Sequence, residues 1–101
     1  MEIRKMEVKD ILELEKEIGT TLIVDEVKVN SKIIFRAYFE DSEVTDSSQS
    51  HKLSTGDSID MAIENYCFLI SGNIIALNKS NKDREKRIKC GKIIHSKKIE
   101  S

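Results

Sequence analysis

The chain contains no proline and no tryptophan, two cysteines, and five aromatic residues among 101. Proline codons are GC-rich, so the missing proline points to an AT-rich coding sequence. Two cysteines are too few for a disulfide scaffold. Cys67 falls inside a helical pattern, where a free thiol acts as a small hydrophobe. Both are expected to be reduced, as in a cytoplasmic protein. No apolar run reaches the roughly 18–20 residues that span a bilayer. The start, Met1 to Met6, has no apolar segment behind its charges and does not read as a secretory leader. Internal repeats and low-complexity tracts are also lacking.

What is present is charge, 35% of residues against 39% hydrophobic. That balance suits one domain with a single modest core. The net charge of −1 hides a strong asymmetry. Residues 1–78 carry 8 basic and 15 acidic side chains, whereas residues 79–101 carry 9 basic and 3 acidic. Either the basic segment, from about residue 79, folds back on the acidic body, or one of these surfaces meets a charged partner.

The expected fold class is α+β: a single small domain with an antiparallel sheet of three to four strands and two helices, in the order α-β-β-β-α-β. Ile11, Leu14 and Ile18 recur at helical spacing with Val8 and Leu12 beside them, predicting a helix over Val8–Ile18 that ends at Gly19. Thr20–Val29 is β-rich, but Asp25-Glu26 interrupts its alternation and predicts a bulge or bend. Asn30-Ser31 turns into Lys32–Glu40, which alternates cleanly. Asp41-Ser42 turns again into a third strand from Glu43 to Asp46, continuing through a polar stretch to Leu53. Ser58 or Asp57 caps a second helix, with Asp60 in its first turn. Ile59, Ala62, Ile63, Tyr66 and Ile70 form its buried stripe, widened by Cys67 and Leu69. Ile74–Leu77 returns as a strand. Arg84–His95 suits one lysine-blunted edge strand, and the last six residues should fray.

Sites of chemistry are sparse. A zinc site needs ligands at paired spacing, and His51, Cys67, Cys90 and His95 offer none. Ser50-His51 are adjacent rather than positioned as a dyad. The Thr55-Gly-Asp-Ser58 turn could face an anion at a helix N-terminus, but Asp57 and Asp60 repel one. The chain is therefore read as a non-enzyme with no cofactor or metal. Two surfaces stand out as binding candidates. One is acidic: Asp25, Glu26, Glu40, Asp41, Glu43 and Asp46. The other is basic: Lys82, Arg84, Lys86, Arg87, Lys89 and Lys92. The basic run has no interleaved aromatics, so it could touch phosphates but does not suggest base stacking.

The α-β-β-β-α order resembles double-stranded-RNA-binding domains in topology only. Their lysine-rich start to the second helix is replaced here by Gly56-Asp-Ser-Ile-Asp60. Thr55-Gly-Asp-Ser-Ile-Asp-Met-Ala-Ile-Glu-Asn65 resembles the stretch that opens the helix of HicB-type antitoxins. Phe35-Arg-Ala-Tyr-Phe39, Ala62-Ile-Glu-Asn-Tyr66, Ile70-Ser-Gly-Asn-Ile-Ile-Ala-Leu-Asn78 and Asp83-Arg-Glu-Lys-Arg-Ile88 are similar to small phage and prophage proteins of low-GC Gram-positive bacteria. In size, architecture and charge the chain also resembles anti-CRISPR inhibitors. The resemblance implies a phage-encoded inhibitor in the cytoplasm of the infected host. Its partner would be a host defence protein such as a CRISPR effector nuclease. The acidic residues would occupy that partner's nucleic-acid-binding surface as a nucleic-acid mimic. The alternative is a nucleic-acid-associated or HicB-like antitoxin regulator using the basic segment. A particle-assembly factor and the oligomeric state stay open.

Overall fold

The computed structural model describes residues 8–45 and 50–97. Among these residues it is an α+β fold with two α-helices and nine strands in three sheets, in the order β-α-β-β-β-β-β-α-β-β-β rather than the expected α-β-β-β-α-β with one sheet of three to four strands. The strands are β1 (Val8–Asp10), β2 (Leu22–Val29), β3 (Lys32–Phe39), β4 (Ser42–Thr45), β5 (Ser50–His51), β6 (Ser54–Gly56), β7 (Ile74–Leu77), β8 (Lys86–Lys89) and β9 (Lys92–Ile94). The helices are α1 (Ile11–Ile18) and α2 (Ile59–Ile70).

The first helix is shorter than its apolar spacing predicts. Asp10 accepts the Leu12 N–H at 2.9 Å and caps α1. Val8 to Asp10 instead pair in parallel with Lys92 to Ile94. A β-branched residue ahead of a strong cap favours extended backbone. Gly19 ends α1 at φ 70°, the left-handed position where glycine avoids a Cβ clash.

β2 and β3 form a hairpin whose two-residue turn, Asn30-Ser31, has both φ angles positive (49° and 68°). The expected bulge at Asp25-Glu26 is absent: the register runs unbroken from Leu22↔Phe39 to Val29↔Lys32. Asp25 sits opposite Arg36 and pairs with it, so the polar doublet needs no detour. β6 pairs with Phe35 to Ala37 and completes a sheet of order β2-β3-β6.

The third strand leaves that sheet. Asp41, at φ 50°, turns the chain, and Ser42 donates through Oγ to the Phe39 carbonyl at 2.6 Å. β4 then pairs with β7, giving a second sheet of order β5-β4-β7-β8. The single edge strand expected over Arg84–His95 is two strands. β8 joins β7, while β9 joins β1 and carries the basic segment back onto the body. Of the last six residues, expected to fray, 98–101 lie outside the described residues, while the Ser96 N–H donates to Asp10 at 2.9 Å.

Ser58 caps α2, accepting the Met61 N–H at 3.1 Å. Ala62, Ile63, Tyr66, Cys67 and Ile70 are buried, with Ile59 and Leu69 packed at the margin. Phe39, Val44, Ile75 and Ile93 join them, so one core draws on all three sheets and both helices. Tyr66 is central. It stacks edge-on against Phe39 at 5.6 Å, and its hydroxyl accepts the Phe39 N–H at 3.1 Å. Gly56 brings β6 against α2 so closely that a Cβ there would stand 2.5 Å from the Ala62 nitrogen.

Candidate functional site: a basic groove

The acidic residues do not assemble into one face. Successive strand residues point to opposite sides, so Asp25 and Glu26 leave β2 in different directions. Asp25 accepts two bonds from Arg36, at 2.6 and 2.8 Å, and one from the Tyr38 hydroxyl at 3.0 Å. The Arg36 bonds hold its carboxyl below the usual aspartate range. Glu26 is exposed on the other side. Asp41 is structural: it accepts the Ser80 N–H at 2.9 Å and the Ser80 hydroxyl at 2.6 Å. Glu40 is exposed at the turn, and Glu43 is half-buried on β4, opposite Ala76. Asp46 lies outside the described residues, as do the side chains of Ser50 and His51.

The basic residues do converge. Lys82 and Arg84 stand exposed on the 3-10 turn of residues 82–84, and Lys86, Arg87, Lys89 and Lys92 are exposed on β8 and β9. Alternation along β8 sends Arg87 and Lys89 to one side of the sheet and Lys86 with Ile88 to the other. A groove of about 360 Å³ opens between α1 and the β8–β9 segment. Leu14, Ile18, Ile88, Cys90 and Ile93 form its floor, and Lys9, Lys86, Lys89 and Lys92 surround it. Its one carboxylate among the described residues, Glu17, is bonded to Lys9. Glu85 nearby is also engaged, 2.8 Å from Lys79 and 3.7 Å from Arg87. The Lys79 bond, with the lysine's charge, holds the Glu85 carboxyl below its ordinary value.

Sequence reasoning missed Lys9. It lies far from the basic run in the chain and reaches the groove only because β1 pairs with β9. No local signal announces such a contact. Asp60 stands in the first turn of α2, as expected, and is buried there, with its Oδ1 2.8 Å from His95 Nε2. The His95 Nδ1 is buried with no hydrogen-bond partner.

Reactive chemistry is not evident in this arrangement. Burial pushes the Cys90 thiol up to about 11 and the Cys67 thiol to about 12, which disfavours the nucleophilic thiolate. Among the described residues no three His, Cys, Asp or Glu side chains stand close enough to hold a metal ion. Among them, too, no helix is long and apolar enough to cross a membrane.

Among the described residues a strand precedes α1, five strands separate α1 from α2, and β4 leaves the first sheet, so neither the α-β-β-β-α order nor the single sheet of double-stranded-RNA-binding domains is found. No protein-family model, curated protein or solved structure matches the chain.

Proposed function

We propose that this protein acts by binding rather than catalysis, and that its basic groove takes the phosphate backbone of a nucleic acid. The observation that carries this reading is the clustering of Lys9, Lys86, Lys89 and Lys92 around one groove in which, among the described residues, the only carboxylate is engaged by Lys9. Lys86, Lys89 and Lys92 are exposed, and such lysines displace counterions from phosphates without reading sequence. Aromatic side chains are absent from the groove, so contact with the backbone is favoured over base stacking. Arg87, on the other side of β8 from Lys86, extends the positive surface around the sheet edge. This is the regulator reading, with the nucleic acid as direct partner.

The test is fluorescence anisotropy with labelled duplex DNA, single-stranded DNA and RNA over a range of salt. Affinity should fall linearly on a log–log salt plot, and Lys86→Glu with Lys89→Glu should flatten that slope. A salt-independent signal, or no binding at low salt, would sink the proposal.

A second reading is a phage-encoded inhibitor that covers a cationic surface of a host defence protein, such as a CRISPR effector. Glu40 and Glu43 favour it, because they flank the same turn beside a depression of about 450 Å³ lined by Tyr38, Phe39 and Leu53. Lys52 and Lys79 also line that depression and weaken its negative field. Reversing Glu40 and Glu43 should weaken capture of such an effector and leave nucleic-acid binding unchanged.

A further inference from the structure

β2 is the outer strand of its sheet and has no partner on its other side among the described residues. The direction of its backbone groups follows from the turn. A two-residue hairpin makes Val29–Lys32 a narrow, doubly bonded pair, and such pairs alternate along the ladder. The Glu40 N–H donating to the Thr21 carbonyl at 2.9 Å is in phase with this. Leu22, Val24, Glu26 and Lys28 therefore turn their N–H and C=O groups away from β3. The Leu22 N–H is already taken by the Glu15 carboxylate at 2.6 Å. From Val24 to Lys28 the edge is open, and it has neither proline nor bulge to discourage pairing.

We propose that this edge pairs antiparallel with the β2 edge of a second copy, about a two-fold axis through Val27. The charges choose the register. An axis through Glu26 would set glutamate against glutamate, and one through Lys28 lysine against lysine. An axis through Asp25 would set that aspartate beside its own copy. The axis through Val27 places Glu26 opposite Lys28 of the second copy, twice over, and opposite charges on facing positions stabilise a strand pair. Both are exposed and turn their backbone groups outward, so each facing pair exchanges both N–H···O bonds.

The length also fits. In this register Asn30 of the second copy meets Val24, and the pairing stops short of Leu22, where Glu15 sits. The two three-stranded sheets become one continuous sheet. On its outer face Val27 meets its own copy. Ile23, Ile34 and Tyr38 lie half-buried on that face and Val29 is 45% exposed there. Dimer formation joins two small apolar patches into one surface.

Sedimentation equilibrium of the full chain from low to high micromolar concentration tests the proposal. A monomer–dimer equilibrium is expected. Glu26→Lys should raise the dissociation constant about tenfold or more, because it replaces two attractive pairs with two repulsive ones. Adding Lys28→Glu to that variant should restore the dimer. Val27→Cys should cross-link under mild oxidation, since facing side chains in a wide pair lie within disulfide reach. Ile23→Cys should not, and Cys67 and Cys90 are buried and do not compete. A monomer at every concentration, a dimer indifferent to Glu26→Lys, failure of the swapped pair to restore it, or equal cross-linking at Ile23 would overturn the proposal.

Discussion

The β2–β3 hairpin and the β8–β9 segment are both strand pieces dense in charge, and they use it in opposite ways. In the hairpin the signs are mixed and largely matched: Asp25 faces Arg36, and Tyr38 adds a third bond. In β8 and β9 the exposed charges are all cationic, and Glu85 and Glu17 beside them are already engaged by Lys79, Arg87 and Lys9. Matched charges leave a neutral edge that can accept a strand. Unmatched charges leave a field that resists a strand but attracts an anion. A count of charged residues cannot separate the two. What each side chain faces can.

The hairpin is the more firmly rooted region, and removing its root should give the largest effect. Tyr66 is fully buried against Phe39 at the end of β3, and its hydroxyl holds the Phe39 N–H. Tyr66→Ala should cost about 3–5 kcal/mol in a urea melt. Tyr66→Phe should cost only about 1–2 kcal/mol, by leaving that N–H unpaired. Next comes the basic end. The triple change of Lys86, Lys89 and Lys92 to Glu should weaken nucleic-acid binding at low salt about a hundredfold, roughly 2.7 kcal/mol. Lys28→Glu with Lys32→Glu in the hairpin should change affinity by less than about threefold, and an equal loss would erase the contrast.

Asp10 supports the basic end from beneath. Burial raises its carboxyl, but the Ser96 hydroxyl and the Leu12 and Ser96 amides outweigh that and hold it below its ordinary 3.8. A lowered folded-state value means the contribution is complete above the unfolded value. It is lost as pH falls through the folded one. Asp10→Asn should cost about 1 kcal/mol at pH 7, and the gap from the parent should close in melts run progressively below pH 3.8. The smallest effect belongs to the surface pair: Asp25→Asn should cost no more than about 1 kcal/mol and little at high salt.

Much of this was legible in the chain. The strict alternation over Lys32–Glu40 and the capped, striped α2 are local patterns, and both elements stand where their residues place them. The α1 boundary was misread because Val8 continues the apolar spacing while its backbone pairs with a strand far along the chain. Periodicity carries no information about that pairing. Glu40 to Ser42 reads equally well as a hairpin turn or as a corner between sheets, and only the pairing of β4 with β7 decides. The basic half of the candidate site was visible as a charge run, but its groove was not. The groove needs Leu14 and Ile18 from α1 and Lys9 from β1, brought together by tertiary contacts alone.

The bonds from Ser96 to Asp10 span 86 positions in sequence. Closing a loop of that length costs about 4 kcal/mol of chain entropy before any contact rewards it. The β1–β9 clasp is therefore expected on the late side of the folding barrier, after the β2–β3 hairpin, whose strands are neighbours, has formed. Kinetically, the hairpin edge is ready for a partner while the basic groove is still being assembled.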